Sequence, residues 1–178
     1  SIPNAKLQVY FIDNEDYFQR KATLRDDKGS LFADNDERSI FFCRGVLETV
    51  KKLGWAPDLV HCHGWMTSLI PLLLKTSYKD EPLFNHTKVV YSMYNDTFDK
   101  PLNSDFSRKI IMDGIQESDV SGLKDPNFEN VNKIAMDYAD GVIAGDQDMS
   151  KTLIDYANNS AKSFLTYQSE EDYVNAYD

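Results

Sequence analysis

Two histidines separated by one residue stand directly before a glycine, in the run His61-Cys62-His63-Gly64. Imidazole nitrogens bind metals, hydrogen-bond ligands or transfer protons, so this run is the first candidate for chemistry. Residues two apart on a β-strand point to the same face, so we expect the histidines together and Cys62 opposite. That separation argues against a Cys–His nucleophilic pair.

A metal site at these histidines is not predicted. Zinc sites need three or four protein ligands, and no third ligand follows at a standard spacing, since His86 falls in a polar loop. The sequence also lacks the glycine-rich loops that hold phosphates. We therefore expect neither a metal nor a cofactor. His63 either contacts a ligand or hydrogen-bonds a neighbouring loop.

The segment around the histidines predicts a strand, a turn and a helix. Leu59–His63 is a short run without clean alternation, typical of a parallel strand covered on both faces. Gly64 permits a sharp turn, and an apolar stripe at helical spacing follows. Pro71 within that stripe predicts a kink or a broken first turn. Ligands of open α/β sheets bind beyond the carboxyl ends of strands, where His63 lies.

The rest of the chain alternates in the same way. Strands are predicted over 6–12, 89–94 and 141–144, and helices over 37–53, 108–115, 127–138 and 148–156. Asp34, Asn35 and Asp36 offer an N-cap for the first long helix, and Gly54 a stop. This alternation predicts an α/β fold with a parallel sheet flanked by helices over residues 1–158. Residues 159–178 are expected to form an acidic, tyrosine-rich tail with some helix.

Composition limits the partners. The 178 residues carry a net charge of −10, which argues against nucleic acid or an anionic membrane surface as a partner. No run of apolar residues is long enough for a membrane span, and no signal peptide is recognisable. Two cysteines, Cys43 and Cys62, favour a reduced, cytoplasmic protein. Because the first residue is serine and not methionine, we expect the chain to be part of a longer one.

The run Pro57-Asp-Leu-Val-His-Cys-His-Gly-Trp-Met-Thr67 resembles a segment of bacterial glycogen synthases and plant starch synthases that reads PD-hydrophobic-hydrophobic-HxHDWHT. Further stretches agree in order with that family. They are Val9-Tyr-Phe-Ile-Asp13 with Tyr17-Phe18 and Arg20, Asp34-Asn-Asp-Glu-Arg38 (DNxxR), Ser92-Met-Tyr-Asn95 (T-hydrophobic-HN) and Tyr138-Ala-Asp-Gly-Val-Ile-Ala144. Short motifs match by chance when taken singly, but the ordered set extends over most of the chain.

The resemblance implies a retaining GT-B glycosyltransferase, whose Rossmann-like amino-terminal domain faces a second domain across a cleft. Such enzymes transfer glucose from ADP-glucose or UDP-glucose to the non-reducing end of an α-1,4-glucan, without a metal. The resemblance also implies that His63, Tyr94 and Asn95 line the sugar end of the cleft, with Gly64 as the turn that shapes it. Asp34 and Asn35 are further candidates, for which a helix cap is an alternative explanation.

The sequence also departs from the family pattern. Gly64 replaces an acid, Met66 a histidine, Tyr94 the histidine that contacts the donor sugar, and Asp146 a serine. Neither the amino-terminal K-x-GG-L donor loop nor a second domain is recognisable. We therefore expect this chain to be inactive alone, because retaining transfer needs both sides of the cleft to orient the donor.

Two other interpretations stay open. The chain is a glucan-binding or regulatory module that kept the fold and lost the chemistry, or an unrelated Rossmann-like domain that meets the motifs by chance. The replacements at Gly64 and Tyr94 favour the first of these. Apolar surface left by an incomplete sheet would also favour self-association of the chain.

Overall fold

The computed structural model describes residues 7–177. The helices and strands are α1 (Glu15–Phe18), α2 (Asn35–Leu53), β1 (Leu59–His63), α3 (Leu69–Lys75), β2 (Lys88–Met93), α4 (Phe106–Ile110), α5 (Phe128–Tyr138), β3 (Gly141–Ala144), α6 (Lys151–Asn159), β4 (Ser163–Leu165) and α7 (Tyr173–Tyr177). Short 3-10 turns lie at Trp65–Thr67, Pro82–Phe84 and Ser121–Lys124. None of these described helices is long and apolar enough to cross a membrane.

The strands form one parallel sheet in the order β1-β2-β3-β4. Each strand after the first pairs with the strand that precedes it in the chain. Parallel neighbours need long crossovers, and α3, α5 and α6 lie in the three crossovers. The register places His63 beside Ser92, and Met93 beside Ala144. The predicted parallel α/β fold is therefore confirmed.

One face of the sheet carries the hydrophobic core. Alternate strand positions send buried side chains to this face: Cys62, Val89, Tyr91, Met93, Val142 and Ala144. Helices α3 and α5 pack against β2, and α2 packs on α3 with Cys43 and Leu47 inside. Each large apolar side chain buried there stabilises the fold by roughly 1.5–3 kcal/mol. The helices on this face therefore fix the positions of the strand ends.

The opposite face of the sheet is largely open. Leu59, His61, Val90 and Ile143 help to line a groove of about 410 Å³, with Tyr177 of α7 at its border. Leu59 is 53% exposed. The expectation that β1 is covered on both faces was wrong, because only Cys62 of this strand is buried and Leu59 and His61 point to the groove.

The turn after β1 follows the predicted form. Gly64 adopts a φ of +74°, which favours glycine. The 3-10 turn at Trp65–Thr67 precedes α3, whose third residue is Pro71. The first N–H groups of a helix have no intrahelical acceptor, so a proline costs little there. The predicted broken first turn is confirmed, and Trp65, only 1% exposed, anchors it in the core.

The strand predicted over 6–12 is not formed in the described part of that segment. Residues 7–12 belong to neither helix nor strand, and Leu7 and Phe11 are 86% and 90% exposed. Lys6 lies outside the described residues. A strand is stable only when a neighbour satisfies its backbone groups, and no described strand lies beside this one. The prediction was wrong because residue types alone do not supply that neighbour.

Other elements differ from the predictions at their ends. Helix α4 ends at Ile110 and not at Ile115, because Ile111 adopts an extended conformation with a ψ of +96°. Helix α6 begins at Lys151 and not at Asp148. Strand β4 lies in the segment expected to be a tail and was not predicted. The division of the chain at residue 158 stays a prediction.

Candidate functional site

The carboxyl ends of three strands meet at one edge of the sheet, and polar side chains follow each of them. His63 ends β1, Tyr94 and Asn95 follow β2, and Asp146 stands two residues after β3. We call the set His63, Gly64, Tyr94, Asn95, Asp96 and Asp146 the strand-end cluster. The structure therefore brings together four predicted site residues, because parallel pairing aligns the strand ends.

His63 and Tyr94 are in direct contact. Nδ1 of His63 and the hydroxyl of Tyr94 are joined by a hydrogen bond of 2.8 Å, and the two rings stack with centroids 5.9 Å apart. Burial lowers the pKa of His63 and raises the pKa of Tyr94, so both stay uncharged at neutral pH. The bond to Tyr94 leaves Nε2 of His63 as the ring nitrogen that can hydrogen-bond a ligand.

His61 extends this aromatic surface along β1. Its ring centroid lies 4.0 Å from that of His63, which confirms that both histidines share a face. Nε2 of His61 is 2.7 Å from the hydroxyl of Ser92. Burial, together with the charge of His63, lowers the pKa of His61 to about 4. Tyr177 of α7 meets His61 edge to face at 6.1 Å, a contact that the tyrosine-rich tail alone did not predict.

Gly64 shapes the floor of the strand-end cluster. Its N–H donates to the carbonyl oxygen of Ser92 at 3.0 Å, which continues the ladder between β1 and β2. A β-carbon at Gly64 would lie 3.2 Å from Oδ2 of Asp96. The absence of a side chain therefore lets the Asp96 carboxyl approach the end of β1.

Tyr94 is held from its other side by Gly145. A β-carbon at Gly145 would come closer than 3.0 Å to three carbons of the Tyr94 ring. The N–H of Gly145 donates to the carbonyl of Met93 at 2.8 Å, so its backbone is fixed by the sheet. The place of the Tyr94 ring therefore depends on a glycine that sequence reasoning missed.

Two carboxyl groups complete the strand-end cluster. The N–H of Asn95 donates to Oδ2 of Asp146 at 2.6 Å. Desolvation of the Asp96 carboxyl, with the nearby charge of Asp146, raises the pKa of Asp96 to about 6. Asp146 was noticed in the sequence only as a departure from a family pattern, and Asp96 was not noticed. No local signal marks Asp96, because it lies in an irregular segment whose path depends on packing.

Asp34 and Asn35 do not touch the strand-end cluster. The Asp34 carboxylate binds the Arg20 guanidinium and does not cap α2, although it occupies the N-cap position. The predicted side-chain cap was therefore wrong. The bond from Arg20 holds the pKa of Asp34 below its usual value. Asn35 is buried, donates to the carbonyl of Leu24 and accepts from Arg38.

The described residues contain no group of three or more histidine, cysteine or acidic side chains that could hold a metal. Cys43 and Cys62 are both buried free thiols. Burial raises the pKa of Cys43 to about 12 and also raises that of Cys62. Neither thiol is placed to act as a nucleophile, since the reactive form is the thiolate.

Sequence comparison finds a family. A family model described as the starch synthase catalytic domain matches residues 1–164. A glycogen synthase of Chlorobium luteolum is 41% identical over 135 residues, which cover 75% of this chain and 27% of the relative. A glycogen synthase of Chlorobium phaeobacteroides is 46% identical over 96 residues, or 53% of this chain and 20% of the relative. The chain thus spans between a fifth and about a quarter of these relatives.

Structure comparison finds the same architecture. The catalytic domain of starch synthase IV from Arabidopsis thaliana, solved with ADP and acarbose, matches with a TM-score of 0.59 and 18% identity. The match covers 78% of this chain and 30% of that one. At this identity the likeness shows a shared fold.

Proposed function

Because the chain belongs to the family of starch synthase catalytic domains, we propose that it takes part in glucosyl transfer to an α-glucan. The reaction moves glucose from a nucleotide sugar to the non-reducing end of an α-1,4-glucan and retains the anomeric configuration. One observation carries this proposal: His63, Gly64, Tyr94 and Asn95 lie together at the carboxyl ends of β1 and β2, where open α/β sheets bind ligands.

Four residues of the strand-end cluster have a direct role in binding the sugar in this proposal. The stacked rings of His63 and Tyr94 offer an aromatic surface for the C–H groups of a glucose ring. Nε2 of His63 and the side chain of Asn95 hydrogen-bond sugar hydroxyl groups. Because Gly64 has no side chain, it leaves space for a sugar to approach the ends of β1 and β2. These groups bind and orient the sugar, and none of them is a nucleophile.

We propose further that this chain alone does not elongate glucans. The strand-end cluster supplies one wall of the proposed sugar site, and Tyr177 of α7 lies beside it against His61. Retaining transfer requires the donor to be oriented and its leaving phosphate to be stabilised by preorganised groups. In this proposal those groups belong to residues outside this chain, and the reaction needs no metal or cofactor.

A second candidate function is a glucan-binding or regulatory module. Asp96 and Asp146 place two carboxyl groups at the strand ends, and neither forms an ion pair with a described Lys or Arg. Negative charge there opposes the diphosphate of a nucleotide sugar but not a neutral glucan. This arrangement favours glucan binding over donor binding.

Calorimetric titration tests both candidates. The chain is titrated separately with maltoheptaose, ADP-glucose and UDP-glucose. We expect maltoheptaose to bind, with an affinity that falls about tenfold in His63→Ala, since a hydrogen bond and a stacking contact are lost. The control is His86→Ala, which removes an exposed histidine of a polar loop and leaves the affinity unchanged.

Each outcome decides between the candidates. The proposed site is contradicted if none of the three ligands binds, or if His63→Ala leaves the affinity for maltoheptaose unchanged. Tight binding of a nucleotide sugar, or glucan elongation by the chain alone, contradicts the proposed inactivity. If the double variant Asp96→Asn, Asp146→Asn gains affinity for ADP-glucose, the charge argument for the second candidate is supported.

Four further expectations from the sequence stay proposals. The α-glucan and the nucleotide sugar are the partners, and no nucleic acid or membrane partner is proposed. We place the protein in the cytoplasm and its domain boundary at residue 158. Self-association, the remaining partner expectation, depends on apolar surface that an incomplete sheet leaves exposed.

A further inference from the structure

The carboxyl group of Asp96 lies against Gly64 at the end of β1. A β-carbon at Gly64 would stand 3.2 Å from Oδ2 of Asp96, so a side chain at position 64 would meet this carboxyl. Gly64 combines a φ of +74° with a ψ of +166°, a conformation that is essentially restricted to glycine. The end of β1 therefore carries no side chain of its own at this point, and the acidic group beside it comes from the segment after β2.

The segment that carries Asp96 is held on both sides of that residue. The N–H of Asn95 donates to Oδ2 of Asp146 at 2.6 Å. Phe98 is only 6% exposed and packs edge to face against Trp65, with ring centroids 5.2 Å apart. Because its neighbours are fixed, Asp96 loses little conformational entropy when its carboxyl binds a ligand.

The turn that faces Asp96 is fixed as well. The N–H of Gly64 donates to the carbonyl oxygen of Ser92 at 3.0 Å. The carbonyl oxygen of Gly64 accepts from the N–H of Thr67 at 3.1 Å and from the hydroxyl of Thr67 at 2.8 Å. The distance between the carboxyl and the turn is therefore set by the fold, which makes the carboxyl a preorganised group.

The Asp96 carboxyl is available to a ligand. The residue is exposed, and within the described residues only its own backbone N–H bonds to the carboxyl. A carboxylate has about four acceptor positions, so it can accept further hydrogen bonds. Hydroxyl groups are the donors that a sugar offers, and their bonds to an ionised acceptor are roughly twice as strong as bonds between neutral groups.

We propose that Asp96 binds the α-glucan directly, and that its carboxylate accepts hydrogen bonds from hydroxyl groups of the glucose unit that packs on His63 and Tyr94. This role rests on the proposed function, because it adds a contact to the same sugar site. The ionised carboxylate is the form that binds most tightly. Its charge also repels the diphosphate of a nucleotide sugar, so Asp96 favours the neutral glucan over the charged donor.

The titratable groups that face Asp96 come from all three strand ends. They are His63 of β1, Tyr91 and Tyr94 from β2 and the residue after it, and Asp146 after β3. Although solvent reaches Asp96, desolvation by the surrounding atoms raises its pKa to about 6, and the charge of Asp146 adds to the rise. The ionised form of Asp96 therefore predominates above about pH 6 and is lost as pH falls through that value.

Calorimetric titration of the chain with maltoheptaose tests this role. In Asp96→Asn we expect the affinity at pH 8 to fall about five- to tenfold, because a charged acceptor becomes neutral while the size of the side chain is kept. The matched control is Asp148→Asn, which removes an exposed carboxyl outside the strand-end cluster and leaves the affinity unchanged.

The outcomes separate this role from the proposed function. If the parent binds and His63→Ala weakens binding, but Asp96→Asn binds as tightly as the parent, the role of Asp96 is overturned and the proposed function stands. If the parent does not bind maltoheptaose, both are overturned.

The pH dependence of binding separates a direct contact from a structural role. The affinity of the parent for maltoheptaose should fall about five- to tenfold between pH 8 and pH 5. The affinity of Asp96→Asn should change far less, so the two chains become similar at pH 5. A change that remains in the variant belongs to His63 or Asp146. Equal losses of affinity in the two chains over this range overturn the proposal.

NMR titration of the parent gives a readout that needs no variant. The pKa of the Asp96 carboxyl is measured in the free chain and in the chain saturated with maltoheptaose. We expect the glucan to lower this pKa, because hydrogen bonds to the ionised form favour that form. A tenfold preference of the glucan for the ionised form corresponds to a pKa lower by about 1. A pKa that stays the same or rises on saturation overturns the proposal, since the sugar then makes no bond to the carboxylate.

Discussion

The ring of Tyr94 lies so close to Gly145 that no β-carbon fits between them. Gly145 follows β3 and Tyr94 follows β2, so this contact locks two strand ends together. It also holds the Tyr94 hydroxyl against Nδ1 of His63 at 2.8 Å. The aromatic surface of the proposed sugar site therefore rests on a position that carries no side chain.

Gly145→Ala is expected to displace the Tyr94 ring and to break its bond to His63. We expect a loss of about 1–2 kcal/mol in the free energy of unfolding, the usual cost of overpacking, measured by urea denaturation. In the Tyr94→Ala background the same substitution should cost much less, because the clash has gone. Additive effects of the two substitutions would show that the ring does not depend on Gly145.

Lys109→Met is expected to be strongly destabilising. Nζ of Lys109 lies 2.7 Å from the carboxylate of Asp36, whose side chain is fully buried, and 2.6 Å from that of Glu37. Removing the cation leaves a buried charge without its partner, at a cost of about 3–5 kcal/mol in unfolding free energy. The double variant with Asp36→Asn should recover part of that loss.

The control for this prediction is Lys151→Met. Lys151 pairs with Asp155 on the surface, where its side chain is 86% exposed. Surface pairs contribute little, so we expect a change below about 0.5 kcal/mol. Equal losses in the two variants, compared by urea denaturation, would contradict the structural role of Lys109.

Asp34→Asn is expected to change how stability depends on pH. The bond from Arg20 lowers the pKa of Asp34 in the folded state, against about 3.9 in the unfolded chain. Stability from this pair is therefore fully present above the unfolded pKa and is lost as pH falls through the folded pKa. We expect the free energy of unfolding of the variant to be lower than that of the parent by about 1 kcal/mol at neutral pH, and to differ little in strong acid.

Urea denaturation at a series of pH values measures this difference. Asp99→Asn is the matched control, because Asp99 makes a longer and more exposed pair with Arg25 at 3.4 Å. If the free energy of unfolding differs between the parent and Asp34→Asn by the same amount from neutral pH to strong acid, the ion pair is not the cause of the difference.

His61 is expected to titrate well below an ordinary histidine. Its pKa is about 4 because of burial, and because the adjacent His63 disfavours a second positive charge. Imidazole resonances followed by NMR during acidification should show His61 protonating last. In His63→Gln the pKa of His61 should rise but stay below about 6.5, since burial remains. An unchanged titration of His61 in that variant would mean that the two rings are not coupled.

Periodicity predicted the core of this fold well. The apolar spacing in α2 and α5 and the short strand-like runs of β1, β2 and β3 are local patterns, and each of those elements is present. Strand β4 has only three residues and no such pattern, so it forms only because β3 offers its edge. Residues 7–12 show the converse, since their strand pattern finds no neighbour within the described residues.

The residues of the candidate site that follow strand ends were predicted from the sequence. The residues whose position depends on packing between strands were missed. His63, Gly64, Tyr94 and Asn95 follow predicted strands, and parallel pairing brings them together. Gly145 and Asp96 act only through contacts across the sheet, which no local spacing encodes. Asp34 occupies the predicted N-cap position, but Arg20, fourteen residues earlier, takes its carboxylate.

The order of the strands also bears on how the chain acquires its fold. Because β1, β2, β3 and β4 stand in the sheet in the order of their synthesis, each strand can join a finished edge as it leaves the ribosome. Among these four described strands, no later one has to insert between two earlier ones. A nascent chain ending after α5 would already hold β1 and β2 paired under α3, and Gly145 would then fix the His63–Tyr94 contact once β3 joins the sheet. The residues of β4 and α7, which emerge after these, extend the sheet and border its open face without rearranging what precedes them.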